Sequence, residues 1–233
     1  MTRRQWIALG LASGSGLACQ KKAPPGAPAT QSGVDLESWV NQWVNSEGSN
    51  ITGSELHRLE EHWEHVMGGE LTRPEPGILR LQWGEGLSAA KWTGDPFHGQ
   101  GGIELEARRL DGTDFFCGLT FPARPSGECL TWIVGGWGGG LVGISSINDR
   151  DASENETTRH MTFEKDRWYH LRLIRLNEKL QAWIDGVQVV DLDTTGKKLS
   201  LRPGPIDQCA PLGLATWQST GEFRNIRWKG TCG

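Results

Sequence analysis

Residues 168–173 alternate between two faces of an extended chain, with Tyr169, Leu171 and Leu173 on one face, and the alternation resumes along residues 180–184. A period of two residues indicates a β-strand with one buried face. Asp185-Gly186 follows the second run, and this dipeptide favours the type I′ turn of a β-hairpin because both residues tolerate a positive φ. The pattern therefore predicts three consecutive antiparallel strands, which are typical of an all-β sandwich.

The same alternation predicts more strands earlier in the chain, over residues 77–83, 86–92 and 102–110. Another run, residues 114–121, has a hairpin partner at residues 129–134. Strands at this regular spacing, separated by glycine-rich turns, favour a two-sheet antiparallel sandwich.

The region before these strands follows a different period. Residues 35–61 predict a short helical extension, because apolar residues recur at intervals of three and four and a capping box begins at Thr52. Residues 62–71 fit either the end of this helical region or the first strand, closed by a Gly68-Gly69 turn. We expect the sandwich to span residues 62–233.

The first residues predict export. Residues 1–19 combine Arg3-Arg4, a short apolar run and small residues before Cys19, as in a secretory signal peptide. The arginine pair resembles a twin-arginine motif, and the residues around Cys19 resemble a lipobox. The expected product is a periplasmic or cell-surface lipoprotein lipidated at Cys19, with plain secretion and an uncleaved anchor as alternatives. Residues 20–34, rich in Pro, Ala and Gly, predict a tether.

Charge and composition narrow the expected partners. The chain has 233 residues and a net charge of −4, and it has no basic stripe, so nucleic acid is not an expected partner. We expect contact with a membrane only through the lipid anchor. The chain has 12 Trp but 1 Tyr. Indoles fill β-sandwich cores, but a few exposed ones also form a flat apolar platform for a sugar ring.

The candidate site combines such indoles with a polar loop. A glycine-rich segment, residues 135–140, presents Trp137, and Trp217 lies near the end of the chain. Residues 147–160 form the most polar stretch, and loops on a rigid scaffold often carry function. The candidate carbohydrate-binding residues are Trp137, Asn155 and Trp217. The candidate catalytic residues are Asp149, Asp151, Glu154, Glu156 and His160.

The polar loop leaves three interpretations open: a solvated connection, a substrate rim, or a calcium site built from its carboxylates. We expect no other metal or cofactor. Glu104 and Glu106 share one strand face, as do the catalytic acids of laminarinase-type glycosidases, but Arg109 stands where a third acid is required. A solvated outer face is the favoured interpretation of this pair.

Four cysteines remain if Cys19 is lipidated. In an oxidising compartment they allow three pairings. We expect Cys117–Cys129, because the two residues face each other across one predicted hairpin, and Cys209–Cys232, which would join the final strands.

Several motifs resemble known proteins. Trp168-Tyr169 with Trp183-Ile-Asp-Gly186 resembles the signature of concanavalin A-like, laminin-G-like jelly rolls. Residues 114–121, 135–139, 151–157 and 212–228 resemble the 3-keto-disaccharide hydrolase domain family of exported planctomycete-type proteins. This resemblance implies a carbohydrate-active domain that hydrolyses 3-keto-glycosides, with an acid/base pair or a metal beside the keto group. No catalytic motif maps by position, and fold alone does not define function. A non-catalytic glycan- or protein-binding module of the cell envelope is the alternative, and a purely structural envelope protein is the third interpretation.

Overall fold

The computed structural model describes residues 62–94 and 100–230. The predicted signal peptide, tether and helical extension, residues 1–61, lie outside these residues. Cys19 and Cys232 lie outside them too, so lipidation and the Cys209–Cys232 pairing stay predictions.

The described residues are almost entirely β-strand and turn. In chain order the strands are β1 (Trp63–Met67), β2 (Leu71–Thr72), β3 (Ile78–Leu81), β4 (Leu87–Trp92), β5 (Gly101–Gly112), β6 (Cys117–Pro122), β7 (Cys129–Gly135), β8 (Leu141–Ser145), β9 (Arg159–His160), β10 (Tyr169–Leu176), β11 (Lys179–Ile184), β12 (Val187–Asp193), β13 (Gly213–Trp217) and β14 (Ser219–Gly230). A short 3₁₀ helix, Pro205–Cys209, precedes β13.

The strands form two antiparallel sheets, each with seven strands among the described residues. The order is β1-β4-β13-β6-β7-β8-β9 in the first sheet and β12-β11-β10-β5-β14-β3-β2 in the second. The predicted two-sheet antiparallel jelly-roll sandwich is confirmed. No helix in the described ranges is long and apolar enough to cross a membrane.

The main core lies between the two sheets and follows the alternation that the sequence shows. Leu171 and Leu173 of β10 point inward with no exposed surface, opposite inward-facing residues of the first sheet such as Trp132. Burial of such side chains stabilises a fold by about 1.5–3 kcal/mol each. The largest fully buried side chains are Trp132, Phe116, Phe121 and Phe223.

The φ angles and strand pairing of the backbone test two local predictions, the hairpin turn and the structure of residues 62–71. Asp185 and Gly186 have φ values of 49° and 79° at the tip of the β11–β12 hairpin, as a type I′ turn requires. Residues 62–71 are strand rather than helix: β1 pairs with β4, and the chain turns at Gly68-Gly69 into β2 of the other sheet.

The predicted Cys117–Cys129 disulfide is wrong. The β6–β7 register pairs Cys117 with Val134 and Cys129 with Pro122, so the two cysteines lie at opposite ends of the strand pair. A disulfide requires Cα atoms within about 7 Å, whereas five residues of strand span about 17 Å. Cys117, Cys129 and Cys209 form no disulfide with one another. The hairpin was predicted correctly, but its register was not.

Candidate functional site

An open cleft of about 420 Å³ lies on the outer face of the first sheet. Its floor combines side chains from neighbouring strands with side chains from the loops around them. The apolar part of the floor consists of Leu87, Phe115, Ile133 and Ile206. Thr131 of β7 and Ser145 of β8 are direct neighbours in the sheet and add two hydroxyl groups.

Trp137 lies at one end of this cleft on a tight turn, residues 135–139. Gly135, Trp137, Gly138 and Gly139 all have positive φ, between 47° and 100°. Glycine adopts this conformation without strain, but a bulky residue such as Trp137 requires support from its surroundings. The result is an indole that is 45% exposed at the mouth of the cleft.

Asp114 supplies this support. Its Oδ1 accepts hydrogen bonds from the backbone N–H groups of Phe115 at 2.7 Å and Trp137 at 3.1 Å, and its Oδ2 accepts one from Gly138 at 3.3 Å. Hydrogen bonds to an ionised acceptor are the stronger kind. Asp114 therefore fixes the turn that carries Trp137, and it also lines the cleft.

Trp217 is the second exposed indole of the cleft, with 38% of its surface accessible. Its backbone N–H donates to the carbonyl of Phe115 at 3.0 Å, which places it at the same end as Trp137. Gly86 lies beneath its ring: a Cβ at Gly86 would be 3.3 Å from Cη2 of Trp217. The absence of a side chain at Gly86 leaves the space that this ring occupies.

The other end of the cleft carries a charged pair. Asp151 Oδ2 lies 2.6 Å from Arg202 Nη1, and the Asp151 side chain is mostly buried whereas that of Arg202 is exposed. Backbone hydrogen bonds between Ser146 and Ser200 bring the segment that carries Arg202 beside the end of β8. An acceptor and a multiple donor therefore lie side by side.

Asn155, predicted to bind carbohydrate, does not line the cleft. It is buried, its Nδ2 donates to the carbonyls of Ile144, Arg150 and Asp151, and its Oδ1 accepts from Thr157. These bonds leave no group free to bind a ligand. Instead, Asn155 holds the polar loop against β8 and fixes the backbone of Asp151.

The other candidate catalytic residues also lie outside the cleft. Asp149 pairs with Lys198 at 2.7 Å and Glu156 with Lys197 at 2.7 Å, while Glu154 and His160 are exposed. Two of the three carboxylates are thus paired with lysines, and none of the four side chains lines the cleft. No three acidic, His or Cys side chains of the described residues come together as a metal site. The calcium interpretation of the loop stays a prediction.

The cleft residues Asp114, Ser145 and Arg202 were not among the site residues predicted from the sequence. Asp114 follows the Asp111-Gly112 turn, and Arg202 begins an Arg-Pro-Gly-Pro segment that is stiff and exposed. Both are polar residues in short connections, which is a weak signal. Ser145 is a small polar residue within an apolar strand, and only the pleat of the sheet shows which face it occupies.

A smaller cleft of about 260 Å³ lies on the outer face of the second sheet, over Glu104 and Glu106. Glu104 is hydrogen-bonded to His170 and pairs with Arg227, and Glu106 pairs with Arg224 at 2.6 Å. Burial disfavours the charge of Glu104, but its bond to His170 and the charge of Arg227 outweigh this effect and lower its pKa. The carboxylates are occupied by basic partners, and this face is an ion-paired surface.

The first cleft defines the class of the protein. Exposed indoles beside carboxylate, guanidinium and hydroxyl groups, on a rigid antiparallel sandwich, are typical of carbohydrate-active β-sandwich domains. The chain belongs to the 3-keto-alpha-glucoside-1,2-lyase-like domain family, whose model matches residues 31–229. The family resemblance seen in the sequence is confirmed. No curated protein sequence matches the chain significantly.

The chain is also similar to several solved structures, at low sequence identity. The carbohydrate-binding module CBM66 from Bacillus subtilis has a TM-score of 0.49 and 14% identity, and the match covers 72% of this chain and 96% of the module. A putative glycosyl hydrolase from Parabacteroides distasonis has a TM-score of 0.42 and 13% identity, over 75% and 96% of the two chains. A galectin-like protein of unknown function from Bacillus subtilis has a TM-score of 0.48 and 10% identity, over 72% and 89%.

Proposed function

We propose that the cleft on the first sheet binds a saccharide and cleaves 3-keto-α-glucosides. The observation that carries the proposal is that Trp137, Trp217 and the Asp151–Arg202 pair line one cleft. Indole faces pack on the C–H face of a pyranose, and the charged pair offers both donors and acceptors to its hydroxyl groups. The family match supports the keto-glucoside as substrate class.

The reaction follows from the acidity of the substrate. A carbonyl at C3 acidifies the proton on C2, so that a positioned carboxylate can remove it as a general base. The electrons of the C2–H bond form a C1=C2 double bond, and the C1–O bond to the leaving group breaks. The departing oxygen takes up a proton. Addition of water across the double bond then gives the free keto sugar, so the net result is hydrolysis.

Asp151 is the proposed base. Of the two carboxylates that the described residues place in the cleft, Asp114 accepts three backbone hydrogen bonds, whereas Asp151 accepts one from the N–H of Ala152 and pairs with Arg202. The guanidinium of Arg202 carries further N–H groups that can stabilise negative charge on the C3 oxygen as the proton leaves. Asp151 and Arg202 thus supply the base and the electrostatic stabilisation.

The proposal is tested by measuring the release of free sugar. The substrates are a 3-keto-α-glucoside and its non-oxidised parent, each with and without a chelator. We expect the wild type to cleave only the keto compound, and Asp151→Asn to lower kcat about a hundredfold or more. Glu154→Ala, an exposed change in the same loop, is the matched control and should retain activity. Equal activity in wild type and Asp151→Asn would exclude Asp151 as the base.

A non-catalytic binding module is the second candidate function. It is favoured by the absence of a cluster of three acidic, His or Cys side chains in the described part of the chain. Under this alternative the wild type shows no turnover with any glucoside but binds saccharides saturably. Trp137→Ala would weaken that binding, which titration calorimetry would detect.

We also propose that the protein is exported and anchored by a lipid on Cys19 at the periplasmic or cell surface. The proposal rests on the Arg3-Arg4 start, the short apolar run and the residues before Cys19. Fractionation of cells that express the wild type or Cys19→Ser tests it. The wild type should be in the membrane fraction and the variant soluble, and a variant that stays membrane-bound with unchanged mass would contradict lipidation.

A further inference from the structure

The two ends of the cleft differ in chemistry. At one end, the backbone N–H of Trp137 donates to the carboxylate of Asp114, and the backbone N–H of Trp217 donates to the carbonyl of Phe115. At the other end, Ser145 lies beside Thr131 in the sheet. The cleft is therefore aromatic at one end, where Asp114 adds a carboxylate, and carries hydroxyl groups at the other.

The separation of the ends follows from the strand that runs along the floor. Thr131 and Gly135, where the turn that carries Trp137 begins, lie four residue steps apart along β7. At about 3.3 Å per residue these four steps cover about 13 Å. Two linked pyranose rings fit such a floor, with one ring at each end.

Ser145 has an unused hydrogen-bonding group at the polar end. The residue is 3% exposed, and its Oγ has no hydrogen-bond partner among the described residues. The neighbouring Thr131 differs, since its Oγ1 is bonded to Oγ1 of Thr120 at 2.9 Å. A buried hydroxyl without a partner loses its hydration without compensation, which favours a ligand that supplies the missing bond.

We infer that the cleft has two subsites and that Ser145 is a specificity-determining residue of the reacting subsite. This inference rests on the proposed function. The keto ring lies at the Ser145, Asp151 and Arg202 end, because the proposed base must reach its C2 proton. The leaving ring lies on Trp137 and Trp217, which offer flat apolar faces. The uncharged Ser145 hydroxyl binds a hydroxyl or carbonyl oxygen of the keto ring.

The experiment compares a 3-keto-α-glucoside disaccharide with methyl 3-keto-α-glucoside, which lacks the leaving ring. Ser145→Ala should lower kcat/KM for both substrates by roughly three- to tenfold, the value of one neutral hydrogen bond. Trp217→Ala should lower kcat/KM about tenfold for the disaccharide and leave the methyl glycoside within about twofold. The inference would be wrong if Trp217→Ala lowered kcat/KM for the methyl glycoside alone, or if Ser145→Ala left kcat/KM unchanged for both substrates.

Thr216→Val is the matched control. Thr216 also has a buried hydroxyl without a partner among the described residues, but its side chain faces the second sheet, where its Cγ2 would lie 2.8 Å from a Cβ at Gly221. The change should leave both substrates unaffected. Circular dichroism and thermal unfolding of each variant separate a local effect from misfolding.

The two proposals fail in distinguishable ways. If the wild type cleaves neither substrate, the proposed activity is wrong, and the same variants are then compared by calorimetric binding of a glucose disaccharide and methyl α-glucoside. Selective loss of disaccharide binding in Trp217→Ala, with equal loss for both ligands in Ser145→Ala, still supports two subsites. If the wild type neither cleaves nor binds, both proposals are wrong.

Discussion

The carboxylate of Asp114 accepts a hydrogen bond from the backbone N–H of Trp137 at 3.1 Å, across 23 residues of sequence. A second bond from Gly138 at 3.3 Å completes the attachment. One carboxylate thus holds both the backbone of the turn and the position of the indole. The orientation of an exposed aromatic side chain is decided here by a residue from another loop.

The first prediction concerns this attachment. Asp114→Ala removes the acceptor of three backbone N–H groups and should lower the free energy of unfolding by about 2–3 kcal/mol. It should also weaken saccharide binding, since Trp137 loses its support. Asp114→Asn keeps one oxygen but places an NH₂ group near the backbone N–H groups, so an intermediate effect is expected. Urea denaturation and calorimetric titration measure the two quantities, and a fully stable Asp114→Ala would contradict this role.

The second prediction separates Asn155 from its neighbour Glu154. Asn155→Ala removes five hydrogen bonds from a buried site and should destabilise the fold by about 2–4 kcal/mol. Glu154→Ala changes an exposed side chain and should alter stability by less than about 0.5 kcal/mol. Thermal unfolding of both variants measures the difference. Equal stabilities would show that Asn155 does not organise the loop.

The third prediction concerns the thiols. Burial raises the pKa of Cys117 and raises that of Cys209 to about 12, so neither is a thiolate at pH 8. Both should resist iodoacetamide in the native protein. After denaturation without reductant, Cys117 and Cys129 should both be alkylated, which mass spectrometry of peptides would detect. A disulfide-linked peptide containing both residues would contradict the strand register.

The fourth prediction is the pH dependence of Glu104→Gln. The pKa of Glu104 is lowered in the folded state, so its charge stabilises the fold above its unfolded pKa of about 4.3, and this contribution disappears as the pH falls through the lower folded value. The variant should be about 1 kcal/mol less stable than wild type at pH 7, since a charge-assisted hydrogen bond becomes neutral. The difference should become smaller as the pH falls through the folded pKa of Glu104.

Urea denaturation at pH 7, 5 and 3 measures this dependence. Glu64→Gln, on the exposed face of β1, serves as the control and should match wild type at each pH. A constant deficit of Glu104→Gln at all three values would mean that the charge of Glu104 is not the cause.

The local pattern of apolar and polar residues was sufficient to predict the strands. The alternation around Tyr169 and the Asp185-Gly186 turn predicted β10 to β12, because the pleat and the turn conformation depend on neighbouring residues alone. The motifs that resemble the 3-keto-disaccharide hydrolase family lie in the same kind of strands and loops, and each is a short continuous segment. Such segments are sufficient to identify the family.

Strand phase was predicted less well at strand ends. Strict alternation back from Cys117 would place Phe115 on the inward face, but Phe116 occupies the core and Phe115 lines the cleft. Strand β6 begins only at Cys117, so its inward and outward alternation does not determine which way the preceding residues face. The same limit applies to the cysteines, whose separation depends on the register between two strands.

The sequence by itself determined the strands, the hairpin turn and the family of this protein, since each depends on residues that are close together in the chain. Tertiary structure alone decided the composition of the cleft. Asp114, Ser145 and Arg202 come from three separate segments, and only the pairing of strands brings them to one face. Tertiary structure also selected Asp151 over its acidic neighbours, because the buried amide of Asn155 turns the loop so that one carboxylate faces the cleft.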